Sequence, residues 1–324
     1  MPASTLVFNG YLLTGRHGMF DSYEAFMRIV DSMVSQHAKW LKMSNELHWR
    51  APISSLNLIL TSNVWQQDHN GFTHQDPGFL DHLCSKSANT VNMYLPPDAN
   101  TLLYAFDTCT KSINKINVVV ASKHPSFQWL SASKAKAHVE TGLGVWDWAC
   151  LNDSENPDVV IASCGDTATL EAIATVSLIK EYLPNLNVRF VNIVDLMKLS
   201  SPEYHDKGIT DEEYDAIFTK KTPIIFNFHG YPRLIHQLTY KRNNTNLHVS
   251  GYCEEGSITT PFDMRVRNKA DRFHLFQKVV KHVSLPRATK TELTKLMEQK
   301  LAEHHEYIRK YGIDMPEIID YKWQ

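Results

Sequence analysis

The chain is 324 residues long, with 43% hydrophobic, 10% aromatic and 21% charged residues. At about 100–200 residues per domain this is enough for two packed cores, and the composition excludes a disordered, collagen-like or disulfide-framework chain. With 33 Lys+Arg against 35 Asp+Glu the net charge is -2, so no broad positive field supports nucleic-acid binding, although a phosphorylated small molecule needs only a local basic group.

Five cysteines, Cys84, Cys109, Cys150, Cys164 and Cys253, are scattered and form no C-x-x-C pair. Neither a zinc knuckle nor a disulfide framework is expected, and a reducing, cytoplasmic setting fits. No apolar run approaches the ~20 residues of a membrane span. The amino-terminal MPASTLVFNGYLL lacks the basic flank and long apolar stretch of a signal peptide.

In chain order, the first predicted element is a helix over Ser22 to Leu41, where Phe26, Ile29, Val30, Met33, His37, Trp40 and Leu41 recur at helical spacing. Leu56 to Leu60 reads as a strand followed by a polar loop. Val91 to Leu95 reads as a second, stopped by Pro96-Pro97, with Asp98 placed to cap a helix through Phe106. The run Asn117 to Ala121 is a third. Between Pro125 and Asn156 the period fades, and one helix near Ser133 to Thr141 is expected within a connection. Strands then return at Val159–Ala162, Val188–Val194, Pro223–Phe228 and Leu247–Val249. Helices are predicted over Thr167–Tyr182, Asp271–Val283 and Thr289–Tyr311. Short apolar strands alternating with helices predict two tandem α/β units, each with a parallel sheet covered on both faces.

The densest polar stretch, QQDHNGFTHQDPG over Gln66–Gly78, follows the strand Leu56–Leu60. Ligands of open α/β sheets sit outside the carboxyl ends of strands, and two histidines among amides and carboxylates can move protons near neutral pH. The segment reads either as a hydrogen-bonded loop or as a proton-transfer site, and the density of such groups favours the second. His69 and His74 are five apart, wrong for one helix face, and no third metal ligand is evident. Thr14-Gly-Arg-His-Gly18 suits an anion or an ordinary turn equally. Lys123, directly after a strand, suits a phosphate, though alone it reads as a solvated lysine. Cys164-Gly-Asp-Thr167 reads as a tight turn with Asp or Thr as cap, His304-His305 as a solvated pair and Glu254-Glu255 as a solvated loop. No G-x-G-x-x-G, Walker A or H-E-x-x-H motif is present.

Taken together, YLLTGRHG (Tyr11–Gly18), SYEAF (Ser22–Phe26), QDHNGFTHQDPG (Gln67–Gly78) and TPFDM (Thr260–Met264) resemble the phosphoketolases, from about Phe8 to Trp323. The resemblance implies two tandem parallel-sheet α/β domains of the thiamine-diphosphate, transketolase-like superfamily. Residues 1–124 would be part of the pyrimidine-binding middle domain and residues 125–324 the C-terminal domain. It implies cleavage of xylulose 5-phosphate or fructose 6-phosphate with phosphate, giving acetyl phosphate and glyceraldehyde 3-phosphate or erythrose 4-phosphate. His69, His74, Gln67 and Asn70 would be catalytic, Tyr23 and Phe26 would flank the cofactor's pyrimidine, and Lys123 would hold the substrate phosphate. Asn45 stands where the family has a second, arginine phosphate ligand.

The family's G-D-G…N element, which holds the diphosphate through Mg2+, does not occur in the sequence, so thiamine diphosphate and Mg2+ are family expectations with no metal ligand named. The segment Met1–Phe8, where the family's activating glutamate falls, has no acid. The expectation is therefore a C-terminal part of a phosphoketolase, with the first α/β unit truncated, inactive without an N-terminal part. It would dimerise or associate with that part, and would bind neither nucleic acid nor membrane. The alternatives are a non-catalytic remnant and a sugar-phosphate- or protein-binding module.

Overall fold

The computed structural model describes residues 2–86 and 89–323. One sheet is built from β1 (Met19–Tyr23), β2 (Leu56–Thr61), β3 (Val91–Tyr94) and β4 (Ile116–Val120), ordered β1-β2-β4-β3 with every pairing parallel. The other contains β5 (Leu143–Val145), β6 (Val159–Cys164), β7 (Val188–Ile193), β8 (Ile224–Phe228) and β9 (Leu247–Ser250), ordered β5-β7-β6-β8-β9. Every residue of β4, β6, β7 and β8 is buried, as expected for strands covered on both faces. Inside the first sheet Asn57, Asn117 and Asn92 lie in register. Asn117 donates to Asn57 Oδ1 and Asn92 to Asn117 Oδ1, each at 2.7 Å, so buried amides partner one another across three strands.

The parallel expectation fails at β5, which runs antiparallel to β7 at the sheet edge. The helix Ala132–Thr141 ends on Gly142 at φ 84°, a left-handed turn that glycine adopts at no steric cost. The chain therefore doubles straight back along β7, and the amides of Val194 and Asp195 both bond the Gly142 carbonyl.

The predicted helix Ser22–Leu41 is also corrected. Ser22 and Tyr23 complete β1; then come a short helix Glu24–Met27, a 3-10 turn Arg28–Val30 and the helix Asp31–Asn45. The tighter turn shifts the helical phase, so Val34, His37, Ala38 and Leu41 form the buried stripe while Ile29 is 52% exposed. Helices Pro2–Leu13, Phe79–Leu83, Asp211–Phe218, Pro232–Thr239 and Pro261–Arg267 are additional to the predicted set. Two of them carry local cap signals: Thr210 and Glu213 form a reciprocal capping box, and Thr260 caps the helix that Pro261 opens. His304 is not solvated; it is 1% exposed, edge-on to Phe262.

The two sheets face each other carboxyl end to carboxyl end. Glu24 after β1 bonds His229 after β8, Asn63 after β2 reaches Asp166 after β6, and Leu95 after β3 bonds Val194 after β7. The core is continuous across this junction: Leu58, Val118 and Phe79 share one cluster with Val160, Ile193 and Phe226. Among the described residues no helix is long and apolar enough to cross a membrane, and all five cysteines are free.

Buried imidazoles make this core acid-sensitive. Burial pushes His37 down to about 4, and it lowers His138, His205 and His304 as well. A histidine held neutral contributes stability above its ordinary value of 6.5 that is lost as pH falls below it. The melting temperature is therefore expected to drop between pH 6.5 and about 4, and His37→Leu to remove part of that drop. Calorimetric scans across this range check it; a flat profile refutes it.

Candidate active site

In parallel sheets, the residues that follow each strand collect along one edge. At the carboxyl edge of the first sheet these are the turn after β1, the loop after β2 and the segment after β4. The β1 turn carries Tyr23 and Phe26, whose rings are parallel within 2° at 5.8 Å. Tyr23 is 40% exposed, so part of its ring is accessible to a ligand from outside. His74 packs edge-on against Phe26 at 5.0 Å, and Thr73 Oγ1 lies 3.0 Å from His74 Nδ1. The Lys123 ammonium stands 5.7 Å from the centre of the Tyr23 ring. Tyr23, Phe26, His74 and Lys123 come from three different strand ends.

The loop after β2 is held by its own amides. Gln67 is fully buried; its Nε2 donates to the Ser62 carbonyl at 2.8 Å and its Oε1 accepts from Asn70 at 2.6 Å. Gln75 Nε2 donates to the carbonyls of Gln67 and Ser257, tying the loop to itself and to the second sheet's unit. Gln66 Oε1 accepts the Lys123 amide at 2.9 Å, and Gln66 Nε2 bonds Ser122 Oγ, which fixes the segment carrying the lysine. Asp98 caps its helix as expected through Thr101, and its other oxygen accepts the amides of Trp129 and Leu130. That bond pair sets the far end of the same segment.

A cleft of about 550 Å3 lies between the sheets. Gln66, Asp68 and His69 line it from the first sheet, Ser122 and Phe127 from the segment after β4, and Asp166 and Arg265 from the second unit. The Arg265 guanidinium bonds Glu171 at 2.7 Å, so its charge is matched. Arg272 holds the same carboxylate. Burial alone would raise the Glu171 pKa, but Arg272 and Arg265 outweigh it and hold the group below the ordinary carboxylate range. The Cys164–Thr167 turn has Gly165 at the helix cap with no side-chain cap bond, contrary to the expected Asp or Thr cap; Asp166 instead accepts from Asn63 at 3.4 Å. Glu254 and Glu255 are exposed, as expected for a solvated loop, and Glu254 accepts from the Tyr231 hydroxyl. Thr14–Gly18 forms an exposed turn with Gly15 at φ 80°.

Two family models match the sequence. One, described as the D-xylulose 5-phosphate/D-fructose 6-phosphate phosphoketolase, covers residues 4–112, and the other, the XFP C-terminal domain, covers residues 123–323. The chain belongs to the phosphoketolase family. Probable phosphoketolases of Clostridium acetobutylicum and Nitrosomonas europaea are 58% and 56% identical to it over 97% of its length. The chain spans only 39% and 40% of those two proteins, consistent with a C-terminal portion of a phosphoketolase. Among solved structures, a transketolase from Pichia stipitis superposes with a TM-score of 0.64 at 14% identity, covering 87% of this chain and 36% of that one. A split-gene transketolase, described as an inactive β4 tetramer, gives 0.57 at 10% identity over 88% of this chain and 82% of that one. These likenesses show a transketolase-like fold.

Of the residues that the phosphoketolase resemblance singles out, Tyr23, Phe26, His74 and Lys123 converge. His69 lines the interdomain cleft, on the loop that also carries His74. Asn70 is exposed and tied to Gln67, whose two amide groups are both engaged inside the loop. Asn45 is not brought to the site: it ends the helix Asp31–Asn45, about 22 Å long, which runs from the carboxyl edge of the sheet back toward the amino edge. Sequence reasoning missed Glu24 and His229. Glu24 lies inside the SYEAF motif, and a charged residue immediately after a strand end was the available signal.

Proposed function

We propose that the chain carries the pyrimidine-facing side of a thiamine-diphosphate-dependent phosphoketolase site. The rest of that site comes from sequence equivalent to the part of its relatives that it does not span, on the same or a separate polypeptide. The observation that carries the reading is the convergence of the parallel Tyr23–Phe26 rings with His74 and Lys123 at one sheet edge. A partly accessible aromatic ring of this kind fits a flat heterocycle. The G-D-G…N element that would hold Mg2+ and the diphosphate does not occur in the sequence, so both are assigned to the complementary part. Residues 1–124 then form the pyrimidine-binding unit and residues 125–324 the C-terminal domain.

When bound, thiamine diphosphate supplies the carbanion chemistry that splits a ketose carbon–carbon bond. The chain's own residues position and protonate. Tyr23 and Phe26 stack on the ring; His69 and His74 exchange protons with substrate hydroxyls; Asn70, held by Gln67, orients the reacting group; Lys123 binds the sugar's phosphate. The substrates are xylulose 5-phosphate or fructose 6-phosphate with inorganic phosphate. The products are acetyl phosphate and glyceraldehyde 3-phosphate or erythrose 4-phosphate. The split-gene transketolase, an inactive tetramer as described, offers a precedent for a chain of this extent needing its complement. Self-association, as in that tetramer, is part of the reading, and the five unpaired thiols suit the cytoplasm.

Calorimetric titration with thiamine diphosphate and Mg2+ tests the proposal. Binding in the micromolar range is expected once the chain is joined to the amino-terminal part of the Clostridium acetobutylicum relative, and none with the chain alone. A folded assembly that stays silent overturns the proposal in favour of a non-catalytic remnant or binding module. In the active assembly, Lys123→Ala should raise KM for the sugar phosphate by about 10–100-fold, the loss of a charge-assisted hydrogen bond, with a smaller change in kcat.

A further inference from the structure

The tightest link between the two sheets is not in the catalytic set. Glu24 follows Tyr23 and opens the short helix that bears Phe26, and it is fully buried. Its Oε1 accepts His229 Nε2 at 2.7 Å, and its Oε2 accepts the Val64 amide at 2.7 Å. Val64 opens the loop that carries His69 and His74. His229 is likewise buried, directly after β8, and its carbonyl accepts Trp65 Nε1 at 2.9 Å. The two residues together therefore grip the aromatic turn and the start of the histidine loop from the opposite sheet.

The imidazole is itself fixed from below. The His229 amide bonds the Cys164 carbonyl at 3.0 Å, and a Cβ built on Gly165 would stand 2.7 Å from the His229 Cβ. Only glycine leaves room there, and its φ of 107° already suits glycine alone. Burial opposes charging of His229, but the Glu24 carboxylate outweighs it and raises its pKa. Its Nδ1 has no hydrogen-bond partner among the described residues, so Nε2 makes the ring's polar contact.

We propose that the Glu24–His229 pair is a positioning element: through it the C-terminal sheet sets both the Tyr23–Phe26 rings and the loop of His69 and His74. The pair touches neither ring face nor substrate groups; it acts through the turn on one side and Val64 and Trp65 on the other. The proposal rests on the reading of that edge as the cofactor site, which gives the positioning its purpose. A buried ion pair that served stability alone would loosen the whole junction when broken. A positioning pair loosens two defined segments.

Amide hydrogen exchange on the chain itself distinguishes the two. In His229→Leu, exchange in residues 20–28 and 62–78 is expected to accelerate at least tenfold, with β4 and β7 unchanged. His229→Gln, whose side-chain amide nitrogen takes the place of Nε2, should restore protection to within about threefold. Equal acceleration in the strands, no acceleration in the loops, or His229→Gln as fast as His229→Leu each overturns the proposal. Should His229→Leu fail to fold, Glu24→Gln carries the same test. It keeps one acceptor oxygen but turns an NH2 toward the second donor, and the same tenfold loss in the same segments is expected. Thiamine diphosphate titration of the joined assembly separates this from the functional reading. Loosened loops in His229→Leu, together with a wild-type assembly that binds no cofactor, leave the pair standing and remove the cofactor site. Equal cofactor affinity in wild type and His229→Leu overturns the pair's role.

Discussion

Replacing Glu171 with Ala is expected to lower the free energy of unfolding by about 3–5 kcal/mol, because it strands buried positive charge. Glu171 is fully buried in the helix Asp166–Tyr182 and accepts bonds from Arg265, from the Arg272 amide and from two guanidinium nitrogens of Arg272, at 2.7–3.1 Å. Arg272 is itself buried, between the rings of Phe262 and Tyr321 at 5.4 and 4.7 Å. Without the carboxylate the Arg272 guanidinium stays buried but loses the two bonds its nitrogens make to Glu171. Chemical denaturation of wild type and variant gives the difference directly, and a loss below 1 kcal/mol would contradict it. The pair has a pH signature too. The native pKa of Glu171 lies below its ordinary 4.5, so the group's contribution is complete above 4.5 and is lost as pH falls below that value toward the native one. The variant should therefore show a shallower acid limb. Because Arg265 and the first turn of this helix line the cleft, the same change should loosen the cleft wall.

The second large effect is on turnover. In the assembly that completes the proposed site, His74→Ala should reduce sugar-phosphate cleavage by about 100- to 10,000-fold, the range of a lost general acid or base. His74 sits against Phe26 and beside Thr73 Oγ1, so its ring orientation is set before substrate arrives. The loss should fall on kcat rather than KM, since the proposed site gives the phosphate contact to Lys123. A drop under tenfold would assign the proton transfers to His69 instead. Phe26→Leu supplies the control for packing, because it removes the ring against which His74 leans while leaving the imidazole present.

Much of this was legible in the chain itself. The runs Val159–Ala162 and Pro223–Phe228 read as buried strands because they are almost wholly apolar, as a parallel sheet covered on both faces asks, and the strands found are Val159–Cys164 and Ile224–Phe228. Asp98 declares a helix start because its carboxylate satisfies an orphan amide three residues on. The QDHNGFTHQDPG loop stands out in sequence by its density of proton donors and acceptors, and the structure places it after β2 at the carboxyl edge of the first sheet. Each of these signals is local: the cause and its consequence lie within a few residues.

What local pattern does not encode, tertiary packing decided. Glu24 and His229 are 205 residues apart, and Asn63 and Asp166 are 103 apart. Their pairing follows from how two sheets meet end to end, which no period of 2 or 3.6 records. Gln67 looks in sequence like a substrate-facing amide, yet burial engages both its groups within its own loop. His304 looks solvated in a charged helix until Phe262 closes over it. The phase slip at Arg28–Val30 and the reversed β5 have the same origin, since a tight turn or a left-handed glycine redirects everything that follows it. The sequence determined seven of the nine described strands, all but β1 and β5, and which loop is densest in proton-transfer groups; the meeting of the two sheets decided which side chains come together, because contact between distant segments is a property of the packed whole.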